Sequence, residues 1–174
     1  MTSPDRRLAC LHRLAWSLLC LVLLWGGPLG CQDDASRLSE HMSRGDEYLE
    51  DEKPNEAVIE FKNALQIDPN HAPAHFGLAK AYLAQRDVRK AYWELQETAR
   101  LDPENIDARL ALGQFLLLGG DDEFTQAIEQ ADAILERQPE RWEAFLIRAR
   151  ALENLKRLDE AQKDYEKGLE LAPD

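Results

Sequence analysis

The chain is poor in cysteine, and that alone removes several functions. Of three cysteines, Cys10 and Cys20 fall in the first thirty residues, so only Cys31 remains beyond them. That remainder can form no internal disulfide and carries no CxxC redox pair. No glycine-rich loop is present to cradle a phosphate, and no nucleophile stands with a base and an orienting carboxylate. His71 and His75 are four apart, a spacing that on a helix suits a metal, but Pro73 stands between them and no third ligand is nearby. Capping or surface roles fit them better. The carboxylate runs Asp33-Asp34 and Asp121-Asp122-Glu123 lack the glycine and alternating oxygen ligands of a calcium loop, so both are read as solvated turns. Basic residues are scarce: 21 against 33 acidic. Residues 1–30 hold three arginines and Asp5, which leaves 18 basic and 32 acidic, a net charge of −14. Such a surface opposes nucleic acid and anionic headgroups. The chain is expected to be no enzyme, to take no cofactor or metal, and to bind no nucleic acid.

What the chain does have is a ladder of prolines. Pro69, Pro103, Pro139 and Pro173 are separated by 34, 36 and 34 residues. Repeats counted from three residues after each rung begin at Leu38, Ala72, Ile106 and Trp142. Their eighth residues are Gly45, Ala79, Gly113 and Ala149, and their eleventh Tyr48, Tyr82, Leu116 and Leu152. Their twentieth are Ala57, Ala91, Ala127 and Ala161, once two extra residues are allowed in the third repeat. Apolar residues step at i, i+3, i+4, as in Leu78, Ala81 and Tyr82, which is helical periodicity. Each repeat therefore reads as two antiparallel helices that approach through small residues. Larger residues pack around them: Tyr48 with Phe61, Tyr82 with Leu95, Leu152 with Tyr165. The prolines end the second helices, Asn70 and Asn105 are candidate caps of the next first helices, and Gly119-Gly120 marks a helix end. Trp93 and Trp142 are expected to be packing residues.

A period near 34 with these small and aromatic positions is similar to the tetratricopeptide (TPR) repeat. The resemblance spans Leu38 to Asp174. It implies an all-α, right-handed solenoid of four helix–turn–helix repeats, at 38–71, 72–105, 106–141 and 142–174, each packed on its neighbours.

Residues 1–30 are of another kind. Arg6, Arg7 and Arg13 precede twelve uncharged residues, Leu14 to Trp25, and Gly26-Gly27-Pro28-Leu29-Gly30 follows. Basic, apolar, small is the order of an export signal, and the run is short of the roughly 20 residues that span a bilayer. The run alone leaves open an uncleaved anchor or an ordinary cleaved signal. Ending at Gly30 and Cys31, the segment resembles a bacterial lipoprotein signal, which implies a diacylated Cys31 as the first mature residue. Residues 31–37 then form a short acidic tether, and the protein faces the periplasm from the inner or outer membrane.

In TPR proteins the first helices line a concave groove, with fifth and ninth residues turned into it. The resemblance puts Met42, Phe76, Leu110 and Leu146 at the fifth positions, and Asp46, Lys80, Gln114 and Arg150 at the ninth. The carboxylate clamp of the best-known groove type needs Lys and Asn where Met42 and Asp46 stand, so it is absent. An apolar stripe centred on Phe76 and Leu110 is expected instead, exposed for a protein or peptide partner and flanked by Lys80 and Arg150. Self-association through an uncapped C-terminal end is a further expectation. The signal, the tether and the run EAVIEFKNALQIDPNHAPAHFGLAKAYLAQRD from Glu56 resemble the TPR lipoproteins of the PEP-CTERM/exosortase system. That resemblance implies a scaffold in exopolysaccharide export or protein sorting. An assembly factor for pilus, secretin or outer-membrane proteins shares these features. So does a regulatory subunit of an envelope glycosyltransferase or cell-wall enzyme.

Overall fold

Glycine and proline punctuate the array where its helices stop. The computed structural model describes residues 29–173, and all of their regular structure is helical. Eight helices follow in order: α1 Leu29–Glu50, α2 Pro54–Ile67, α3 Ala72–Ala84, α4 Val88–Leu101, α5 Ile106–Leu116, α6 Asp121–Arg137, α7 Trp142–Asn154 and α8 Leu158–Leu171. From Leu38 onward the chain forms one compact unit of paired helices. Each second helix stops two residues before its proline, at Ile67, Leu101, Arg137 and Leu171. A residue just before proline is pushed out of the α region, which fixes that end.

Repeats one, two and four turn from first to second helix in the same way. Glu52, Arg86 and Lys156 adopt φ of 58°, 60° and 64°. The following amides reach back five residues, Lys53 N to Tyr48 O at 2.8 Å, Asp87 N to Tyr82 O at 2.9 Å and Arg157 N to Leu152 O at 2.8 Å. This is the Schellman closure of a helix, here made without glycine. The third repeat is different. Its first helix has 11 residues and its second 17, against 13 and 14 in the second repeat. The two inserted residues thus lengthen α6 at its start and rebuild the turn around Gly119-Gly120. Gly120 donates its N–H to the Glu123 carboxylate at 2.9 Å.

Small residues make the close contacts the repeat implies. Ala57, Ala91 and Ala127 are fully buried and Ala161 nearly so, and Gly45, Ala79, Gly113 and Ala149 are buried opposite them. Phe61, wholly inaccessible, lies against two glycines: a Cβ on Gly45 or Gly77 would stand 2.7 or 2.4 Å from its Cε1. Tyr48 packs into the same cluster as Phe61. A second cluster joins Leu95, Leu112, Leu116, Phe124, Ile134 and Ile147 across the later repeats.

Residues 31–37, expected as a short acidic tether, are helical within α1: no glycine or proline interrupts the chain from Cys31 to Arg44, and Arg37 pairs with Asp34 one turn back at 3.0 Å. Several other expectations are corrected. Asn70 is not a cap. His71 caps α3, its Nδ1 accepting from Ala74 N at 3.2 Å, while the Asn70 amide bonds to Asp68 Oδ1. Asn105, the residue equivalent to His71, does cap α5 through Ala108 N at 2.9 Å. Asp121, Asp122 and Glu123 form the first turn of α6, where the helix dipole favours negative charge, rather than a free turn. Trp93 is 65% exposed and does not serve the core. The expected signal, but for its last two residues, lies outside the described residues.

Candidate functional site

The first helices stand side by side and present their ninth residues outward. Asp46, Lys80, Gln114 and Arg150 are all exposed. Lys80 Nζ lies 4.0 Å from Asp46 Oδ1 on the neighbouring helix and 5.2 Å from the centre of the Phe76 ring. This cross-repeat pair shows that the ninth positions of the first two repeats are neighbours on one surface.

The fifth positions behave otherwise. Leu110 is 8% exposed and belongs to the larger core cluster, against which Phe76 also packs. Met42 packs on the first cluster, and Leu146 reaches α8, its Cδ2 lying 2.9 Å from where a Cβ on Gly168 would stand. The expected exposed stripe of Phe76 and Leu110 is therefore absent. The reason is helical register. The fifth residue lies one turn before the buried small residue at the eighth, so it shares that buried face.

Apolar exposure comes one turn later, at the end of α3 and in the turn that follows α5. Leu83 follows Lys80 by three residues and is 41% exposed; Leu118 follows Gln114 by four and is 75% exposed. Continuing the helical step from the ninth residue would have found Leu83, whereas Leu118 lies beyond the end of α5. Beside Leu118 runs an aromatic series. Tyr92 stacks on Phe115 at 4.9 Å and meets Trp93 at 6.1 Å. A cavity of about 260 Å³ opens there, lined by Tyr92, Phe115, Leu116, Leu118, Gly119 and Glu123. The surface offers charge, amide and isolated apolar side chains, which is binding chemistry. Among the described residues no group of three or more His, Cys, Asp or Glu is placed to hold a metal ion. No helix among them is long and apolar enough to cross a membrane.

The tetratricopeptide repeat family matches residues 48–97, and in a second form residues 76–123 and 121–174. The chain belongs to the tetratricopeptide repeat family. TPR proteins act as protein-interaction scaffolds and are in general not enzymes, which suits a site of this composition. Among solved structures, a crystal structure of MamA superimposes with a TM-score of 0.70 at 25% identity, over 80% of this chain and 81% of that one. A second MamA crystal structure gives 0.69 at 26% identity, over 80% and 75%. Pseudomonas aeruginosa PilF shares the TPR fold with a TM-score of 0.65 at 23% identity, over 80% of this chain and 63% of that one. No curated protein matches the sequence.

Proposed function

We propose that this TPR chain is an envelope-anchored adaptor that holds a protein partner against its first helices. The carrying observation is the row of exposed ninth residues, joined across repeats by Asp46 and Lys80, with Leu83 exposed one turn beyond. The row offers alternating charge and amide with an apolar contact at its edge, and so suits an amphipathic segment with a carboxylate near Lys80 or Arg150. Met42, Phe76, Leu110 and Leu146 shape the wall from behind. The anchor is a lipid on Cys31, supported by the order of basic, apolar and small residues before it. Placement beside exopolysaccharide export or exosortase-linked sorting rests on the resemblance to the PEP-CTERM-system TPR lipoproteins.

Two experiments test this. Metabolic labelling with an acyl-chain analogue marks the wild type and not Cys31→Ser; equal labelling rejects the lipid. Crosslinked partners recovered from native membranes are compared between wild type and Lys80→Glu with Leu83→Ser, whose side chains are exposed, after circular dichroism has shown that the variant keeps its helicity. Loss of one specific partner supports the groove, and recovery of the same partners with unchanged affinity rejects it.

A further inference from the structure

We propose that His75 is a proton-operated clamp between the first and second repeats, closed when its imidazole is charged and open on one side when it is neutral. The geometry is specific. His75 Nδ1 lies 2.7 Å from Glu94 Oε2 on α4, and Nε2 lies 3.0 Å from the Pro69 carbonyl oxygen in the turn that joins the repeats. Both partners only accept hydrogen bonds. A neutral imidazole carries one N–H and so can serve one of them; the imidazolium carries two and serves both. The side chain as a whole is 13% exposed, and of its two contacts the one to Glu94 is partly buried and the one to Pro69 exposed, so the Pro69 contact is the one a neutral ring gives up.

The next repeat supplies an internal control. Arg109 occupies the same position as His75. Its Nε donates to the Pro103 carbonyl at 2.8 Å and its Nη1 to Gln130 Oε1 at 2.7 Å. Pro103 is equivalent to Pro69, and Gln130 to Glu94 once the two inserted residues are counted. The two junctions thus use one clamp, permanently charged in one and titratable in the other. The first repeat has the same contact between His41 Nδ1 and Glu60 Oε2, at 2.6 Å.

The groups facing His75 favour its charged form. Glu94 and Glu97 approach from α4 and the Pro69 carbonyl from the preceding turn, and their pull exceeds the opposing effect of burial. The hydrogen bond to Glu94 is the largest influence and holds the proton above the ordinary imidazole range. Glu97 is itself paired with Arg100 on the same helix. The clamp is therefore closed in mild acid. It opens as pH rises through the raised value, and the junction of repeats one and two loosens while that of repeats two and three does not.

The test is backbone hydrogen exchange on the full chain between pH 5.5 and 8.5. Protection in α2 and α3 is divided by protection in α5 and α6 at each pH, which removes the intrinsic pH dependence of exchange. In the wild type this ratio is expected to fall as pH rises, by no more than about tenfold per pH unit, the limit for one proton. His75→Arg, which imitates Arg109, is expected to hold the ratio high throughout. His75→Gln, which cannot ionise, is expected to hold it low. A flat wild-type ratio overturns the proposal. So does His75→Arg or His75→Gln retaining the wild-type slope, because the titrating group would then lie elsewhere.

Discussion

Replacing Gly77 by alanine sets two known effects against each other. Gly77 lies inside α3, where alanine in place of glycine stabilises a helix by about 1 kcal/mol. Against this stands Phe61. A Cβ on Gly77 would lie 2.4, 2.5 and 2.8 Å from Phe61 Cε1, Cζ and Cδ1, where ordinary carbon contacts begin near 3.5 Å. The ring would have to retreat by about 1 Å. Its retreat is blocked, because a Cβ on Gly45 would lie 2.7 Å from the same Cε1 and the ring is completely buried. Overpacking of this kind costs about 1–3 kcal/mol. With the ring closed in on both sides the upper value applies, and the net loss after the helix gain is about 2 kcal/mol. Thermal unfolding followed by circular dichroism should register it as a fall of roughly 6–8 °C. Phe61→Leu removes the obstacle. Alone it costs about 1–2 kcal/mol, but added to Gly77→Ala it should restore stability, with a coupling of at least about 1 kcal/mol. A Gly77→Ala protein as stable as wild type, or a double variant showing the simple sum of both losses, would refute the wedge.

Other outcomes follow from the same structure. Arg148→Leu strands Asp164, which is buried and bonded by the guanidinium at 2.7 and 2.8 Å; it should cost about 3 kcal/mol in urea unfolding, while Arg148→Leu with Asp164→Leu should come within about 1 kcal/mol of wild type. Arg86→Gly relieves a left-handed residue and should stabilise by about 0.5 kcal/mol, the steric gain being partly offset by the freer unfolded chain. Asn105→Ala removes the cap of α5 and should cost about 1 kcal/mol, measurable by the same unfolding curves. Burial, together with its hydrogen bond to Glu153, pushes Tyr165 up to about 12. A folded state that holds this proton longer than the unfolded chain loses stability as pH rises from about 10 through that value, and Glu153→Gln should reduce the loss in alkaline unfolding.

Much of the fold was legible because the repeat states each requirement four times. The prolines, the small eighth and twentieth residues and the helical step each recur, so an error in one repeat is corrected by the others. The site was less legible. Exposure of a first-helix residue depends on what its neighbours bury, and no single repeat states that. Leu110 and Leu118 are both leucines of the third repeat, yet one is in the core and the other is 75% exposed. Their difference comes from register relative to Gly113 and from a turn that the insertion reshaped. Trp93 shows the same limit: its size suggested packing, but its place on α4 turns it outward.

The fourth repeat shows why pairwise contacts elude a reading by position. In the first three repeats the fourth residue, His41, His75 or Arg109, reaches a polar side chain on its own second helix, Glu60, Glu94 or Gln130. The fourth repeat has Phe145 there, which removes the donor. The acceptor remains as Asp164, and Arg148 reaches it from three residues further along α7, with its guanidinium 5.5 Å from the centre of the Phe145 ring. In repeats two and three the position of Arg148 is held by Leu78 and Leu112, both core residues. The first repeat shows that both positions can supply the donor: Arg44, equivalent to Arg148, lies 3.3 Å from Glu60, the acceptor that His41 also reaches. Arg148 also bonds Asp132 of the third repeat, so this donor ties two repeats together, as His75 and Arg109 do through the proline carbonyls. What the array preserves is a polar link between successive repeats. The residue type that makes the link varies, and only one of the variants, a histidine with an acceptor at each nitrogen, makes the link depend on pH.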